Sequence, residues 1–369
     1  MPTGDNYRIT SPGGTTEADF EAIYQLLDQY NADLARFRVK LAPRAAQSRK
    51  HLFEGADPAG LKPSMDWVAD VYSWAGTLAI HFARQSLRLW NAVFAFLAVA
   101  GVALTSIHTL RGGGSVLAAY YLCLVLAFVT ARWERKKKRR NRHEDYRALA
   151  EALRVQFFWN LAGVKQSVDL YFLVDRPSEL DWIRYALKNV WLLQQGTREA
   201  AIAHNRKVVL ECWVKDQRDW YRGKAERQTQ SVHRRERVSR DALLIAVGWS
   251  ILVPLSVMIP GPWHHLGPWK AFQPGNWVYQ LFHVALAVPA LIAGAYRLWI
   301  EQAGYEEQSR EYRSMEREFS IKAKALEANL NTAAVAEDVL LQLGVAALSE
   351  NGRWLLLHRE RPLEVMATP

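Results

Sequence analysis

Four groups of residues in this chain have types that could do chemistry. His264 and His265 stand side by side and could hold a metal, but no third ligand follows at zinc spacing, so they read as interfacial polar residues. The two cysteines, Cys123 and Cys212, exclude a disulfide scaffold and a four-cysteine zinc site. Cys123 falls in an apolar block and Cys212 in a helical pattern, and both are read as inert. The glycine-rich Arg111-Gly112-Gly113-Gly114 lies between two apolar blocks, without the strand-turn-helix setting of a phosphate loop. The fourth group, the carboxylates, is spread along charged helical faces that solvation explains. Gly-x-Ser-x-Gly, His-Glu-x-x-His and Cys-x-x-Cys are all missing. No catalytic constellation, metal set or cofactor site emerges, and a non-enzymatic protein is expected.

The surrounding elements decide where such residues sit. Half of the 369 residues are hydrophobic and 23% are charged, which excludes a wholly disordered chain. Residues 89–110 run for 22 positions without Lys, Arg, Asp or Glu, and residues 115–131 for 17. Residues 242–259 add 18 more, and residues 277–300 add 24 with Arg297 as the one charge. About 20 apolar residues cross a bilayer, where every backbone N–H and C=O must pair within the segment. All four blocks are therefore read as spanning helices, joined as two hairpins by links 111–114 and 260–276. The first block begins at residue 89, too far along for a secretory signal.

Charge orients these spans. Residues 132–142 carry eight Lys or Arg, including Arg135, Lys136, Lys137, Lys138, Arg139 and Arg140. Another eight lie from Arg218 to Arg240, among them Arg234 and Arg235. The two links hold only Arg111 and Lys270. Positive charge marks the cytoplasmic side, so a multi-pass inner-membrane protein with both termini cytoplasmic is expected. Both basic runs abut spans, which assigns them to anionic lipid headgroups and not to nucleic acid. Trp90, Trp133, Trp277 and Trp299 at the span ends suit the interface.

The spans hold no acidic or basic group at mid-depth, which argues against ion-coupled carriers and voltage sensors. Ser250 and Ser256 are candidate pore-lining polar groups. Pro254 and Pro289 remove backbone hydrogen bonds mid-span, which makes Val253, Pro254, Val288 and Pro289 candidate gate or hinge residues. Ordinary structural kinks would use the same prolines.

The rest of the chain reads as helix. Residues 1–15 are polar and expected to be disordered. Thr16 opens a helix whose apolar stripe runs from Phe20 to Leu41, where Pro43 is expected to stop it. Ser64 starts a helix leading to the first span, and residues 144–161 form the exit helix behind the hairpin. Ser178 caps the next helix, and another through Trp213 and Trp220 leads to the third span. A helix from Thr332 is expected to end near Ser349, with Asn351-Gly352 as a turn and residues 353–358 extended.

The two halves resemble each other. Trp133, Asp145, Tyr146, Arg147 and Leu149 shift by 166 onto Trp299, Glu311, Tyr312, Arg313 and Met315, an interval Trp to Tyr of 13 in both. The expected organisation is a first unit over 16–170, a second over 178–331 and a C-terminal helix and tail over 332–369. Tyr146 with Arg147 and Tyr312 with Arg313 are expected to pack equivalently. The fold class is an all-α membrane protein: four transmembrane helices in two hairpins, with long cytoplasmic helices packed as a bundle.

The short hairpin, its basic run, the segment Glu144-Asp145-Tyr146-Arg147-Ala148-Leu149 and the tail Asn351-Gly352-Arg353-Trp354 together resemble the prokaryotic SLATT families. Those are two-transmembrane effector domains associated with SMODS nucleotidyltransferases and SLOG nucleotide sensors. The resemblance implies an oligomeric effector of antiviral defence that perturbs or permeabilises the inner membrane on a nucleotide signal, with a soluble nucleotide-sensing or nucleotide-synthesising partner. The chain departs from those families in carrying two hairpins and no recognisable sensor domain. The alternative is a non-enzymatic membrane scaffold that recruits a soluble cytoplasmic partner.

Overall fold

The computed structural model describes residues 17–54, 58, 61–106, 113–172, 180–194, 199–258, 288–291, 293–294 and 305–360, and among them no strand occurs. Helix α1 covers Glu17–His51, α2 Pro63–Ser106, α3 Gly113–Lys137 and α4 Arg139–Ala162. A short 3-10 turn, Val168–Leu170, precedes α5 (Asp181–Gln194) and α6 (Glu199–Val209). A π-helical turn, Leu210–Lys215, leads into α7 (Asp216–Met258), and α8 (Tyr305–Ala328) and α9 (Ala333–Glu360) complete the described helices. The polar stretch 1–15 lies outside the described residues.

These helices group into two compact units. One draws on the described residues of 1–81, 143–216 and 318–356, the other on those of 82–142, 217–317 and 357–369. The units cut across the halves 16–170 and 178–331 that the repeat suggests. The helix α2 divides between the units after His81, whereas α7 from Gln217 onward, its charged and its apolar stretch alike, belongs to the second.

Two local expectations are corrected. Pro43 does not stop α1, which continues to His51. Pro43 itself is exposed, while Leu41 and Ala45 on either side of it are buried, as is Leu52 beyond the helix. Packing of that stripe outweighs the roughly 3 kcal/mol an interior proline costs. The tail is not a turn and an extended segment either, because α9 runs unbroken through Asn351-Gly352 to Glu360. Leu348, Asn351, Gly352 and Leu355 recur at helical spacing and are all buried, so one continuous face holds the segment helical.

The first unit is built around large aromatic side chains. Trp159, Trp182, Trp213, Phe157, Phe158 and Tyr146 are all fully buried. Phe158 stacks on Trp213 with ring centroids 5.6 Å apart and planes inclined by 6°. Phe319 of α8 also meets Trp213, edge-on with ring centroids 6.2 Å apart. Trp213 belongs to the π-helical turn, whose wider winding sets it between these partners. Lys215, in the same turn, bridges Glu211 and Glu327 at 2.7 Å each, and these carboxylates hold its ammonium above the usual lysine range.

Helix α9 is seated on α4 by a close approach. Trp159 donates its indole N–H to the Leu340 carbonyl at 2.9 Å. One turn further on, Gly344 leaves its Cβ position empty, and any side chain there would overlap the Trp159 indole. Gly344→Leu should therefore lower the stability of this unit by about 3 kcal/mol, while Trp159→Phe should cost about 1 kcal/mol for the lost bond. Thermal unfolding in detergent, followed by tryptophan emission, measures both, and an unchanged melt for Gly344→Leu would contradict this seating.

Candidate membrane interface

Two stretches, Pro63–Leu104 and Gly114–Ala162, are long and apolar enough to cross a membrane. Within their apolar windows only 11% and 6% of residues are buried, whereas the core helix of a soluble protein would bury most of them. On α3 the exposed side chains include Tyr121, Leu122, Val125, Phe128 and Val129, which at 3.6 residues per turn share one broad face of the helix. The end of α7 continues the pattern with Leu243, Leu244, Ile245, Val247 and Ile251 exposed. At about 25 cal/mol per Å² of apolar surface, water is a poor solvent for such faces and hydrocarbon a good one. In their apolar stretches these helices bury few side chains, Val93 and Ala100 of α2, Ala127 of α3 and Ala246 of α7, and Ala293 is buried as well. Gly101 meets Leu291 so closely that an added Cβ would lie 3.0 Å from its Cδ1.

The basic run following α3 contains a structural break. Lys138 has φ 46°, a left-handed conformation that ends α3 and restarts the chain as α4. Its N–H still reaches the Arg135 carbonyl at 3.2 Å, and its own carbonyl accepts from Arg142 at 3.1 Å. Arg135, Lys136, Lys137 and Lys138 are exposed, while Arg139 and Arg140 are half-buried. Arg139 lies 4.4 Å above the Trp133 ring and pairs with Glu134 at 3.1 Å, a contact almost withdrawn from solvent. On α7, Arg234 is exposed and Arg235 half-buried. The run thus holds the exposed cations Arg135, Lys136, Lys137 and Lys138, suited to headgroups, and one clamp, Arg139 on Glu134 and Trp133, at the bend. Glu134, the one acid in the run, was the available signal for that clamp.

Of the candidate gate and pore-lining residues, only Ser250, Val288 and Pro289 have described side chains. Ser250 is exposed and donates its hydroxyl to the Val247 carbonyl at 2.7 Å, so its own helix satisfies it. Val288 and Pro289 are half-buried in a short helical stretch, 288–291. The side chains of Val253, Pro254 and Ser256 lie outside the described residues, as do both links' chemistry-bearing residues Arg111, His264, His265 and Lys270.

The repeat-related residues have these surroundings. Tyr146 is buried, donates to Asp33 Oδ2 at 2.7 Å and packs edge-on against Tyr30 of α1 at 5.3 Å. Burial without a hydrogen-bond partner pushes the Tyr30 phenol far above its ordinary range, so it stays neutral. Tyr312 is buried against Trp220 and Tyr221 of α7, at 5.8 and 6.0 Å. The arginines differ: Arg147 lies 3.7 Å above the Trp354 ring of α9, while Arg313 donates to Thr229 Oγ1 at 2.9 Å. That difference follows from α9, which supplies a tryptophan to one site and not to the other.

Among the described residues no three His, Cys, Asp or Glu side chains are placed to share a metal ion. The Cys212 thiol is pushed up by partial burial and by the nearby carboxylates of Asp216 and Glu211. No family model, curated protein or solved structure matches the chain.

Two outcomes test this interface. Spin labels attached at Leu122, Val125 or Phe128 should be relaxed by dissolved oxygen and shielded from a water-soluble nickel chelate in vesicles, and the reverse pattern would place α3 in water. Because its pKa is raised, Cys212 should hold less thiolate at neutral pH than a free cysteine. Its alkylation in the folded protein should accordingly be slower than that of glutathione, and its rate should keep climbing with pH past the point where glutathione levels off.

Proposed function

We propose that this chain is a membrane-embedded effector of the inner membrane, built of four spans in two hairpins, that permeabilises the bilayer when its cytoplasmic helices receive a signal. The observation that carries the reading is the outward apolar surface of α3 and of the end of α7, set beside exposed cations at Arg135–Lys138. Helices apolar on every face are suited to lipid and to one another. Residues 277–300 supply the fourth span by composition. The resemblance to SLATT effectors supplies the nature of the trigger, a nucleotide-linked signal, and a soluble partner that makes or senses it. Homo-oligomerisation follows from the same premise, since two hairpins alone enclose little space.

The reading makes the chain an actuator. Its aromatic cytoplasmic core is rigid, and α2, α4, α7 and α8 carry that core's displacement along the chain to the apolar segments. An opening between such segments is lined by apolar and small residues and closes by dewetting. Val253 and Val288 flank the two mid-span prolines, where a polar side chain would favour the wet state.

Expression with a membrane-potential dye tests this. Val288→Asn or Val253→Asn should depolarise cells that lack any trigger, while Pro254→Ala with Pro289→Ala should blunt triggered depolarisation. Well-expressed Asn variants with normal potential, beside a trigger that depolarises the unmodified protein, would leave the scaffold reading ahead.

A further inference from the structure

A groove of 950 Å³ opens beside α7 where its basic stretch gives way to its apolar one. One wall is a single stripe of that helix: His233, Glu236, Arg237, Arg240 and Leu243 recur at intervals of three and four. The facing wall includes Ala293 and Gly294, which are small. Ser239 donates to the Ala293 carbonyl at 3.1 Å and pins the walls together. A Cβ built on Gly294 would meet no heavy atom within 4 Å, so the space beside this backbone is open.

The charged end is unevenly satisfied. Glu236 Oε2 lies 3.4 Å from His233 Nδ1, and Arg240 pairs with the adjacent Asp241 at 3.2 Å. Arg237 donates its Nε to the His233 carbonyl at 3.3 Å and, among the described residues, has no carboxylate partner. Its terminal nitrogens are therefore left for a ligand. A guanidinium fork matches the geometry of phosphate oxygens. From His233 to Leu243 the helix rises about 15 Å, which takes the groove from headgroup depth to the first acyl carbons.

We propose that this groove binds one anionic phospholipid. Its phosphate diester is held by Arg237 with Arg240 as the second cation, and an acyl chain passes between Leu243 and Gly294. A soluble phosphate would use the charged end and leave the apolar end empty, whereas a phospholipid fills both. A nucleotide fits less well, because the apolar end offers its base and ribose no polar side chain. The inference rests on the reading that residues 242–258 enter the bilayer, and it adds a defined lipid site to a general attraction for headgroups.

The full chain, purified from membranes in mild detergent, is incubated with mixed micelles of phosphatidylglycerol and phosphatidylcholine, and bound lipid is counted by native mass spectrometry. The expected result is selective retention of phosphatidylglycerol, weakened about tenfold by Arg237→Gln and likewise by Gly294→Leu, which fills the groove without altering charge. Arg227→Gln removes the same charge on α7 away from the groove and should leave retention unchanged. Equal retention in all four proteins would overturn the site. Displacement of the lipid by inorganic phosphate as readily as by phosphatidylglycerol would overturn the lipid assignment in favour of a soluble phosphate. Carbonate washing of membranes separates the two failures. Release of the chain would sink the membrane reading, while a chain that stays in membranes yet retains no lipid sinks the groove alone.

Discussion

A helix that is apolar on every face has no side to turn towards water, and this constraint organises the whole chain. The exposed surface of α3, from Leu117 to Val129, and that of α7, from Leu243 to Ile251, could be covered only by a large core or by lipid. Among the described residues no such core surrounds α3, where only 6% of the apolar window is buried. Everything charged must therefore collect where the helices leave those segments. The cations of 132–142 and the α7 run do so. One contact inside the second unit is notably close: a Cβ on Gly101 would lie 3.0 Å from Leu291 Cδ1.

The other unit follows the opposite logic. It gains stability by taking wide aromatic rings out of water, and three tryptophans with several phenylalanines fill its centre. Trp159 is the joint that shows how such a core becomes specific. Its ring needs the vacancy over Gly344 and its N–H needs the Leu340 carbonyl, so α9 can dock on α4 in one register only. The Arg147 guanidinium over Trp354 and the Asn351 bond to the Ala148 carbonyl extend the same contact.

The candidate lipid contacts were legible because a run of like charge is a one-dimensional feature. Glu134 signalled that one cation of the run would be clamped but did not say which, and it is Arg139 that pairs with Glu134 over Trp133 while Lys138 carries the backbone break. The groove beside α7 was less legible still. His233, Arg237 and Arg240 belong to the visible stripe, but the small wall that makes a cavity of it comes from residues some fifty positions on, and closure depends on Ser239 meeting Ala293.

The sequence by itself determined the helical class, the two apolar blocks now seen as helices long enough to span, the position of the basic runs and an exit helix over 144–161, which the structure extends back to Arg139. These depend on composition and on a 3.6-residue period, which act over one or a few turns. Only the tertiary structure decided that α1 survives Pro43, that α9 continues through Asn351-Gly352 and that a π-helical turn sets Trp213 in place. In each case a local preference of a few kcal/mol was outweighed by burial against residues distant in the chain. Leu41 and Ala45 hold α1, Leu348 and Leu355 hold α9, and Phe158 with Phe319 holds Trp213. Local rules cannot weigh that burial, because the partners that create it are named only once the chain has folded.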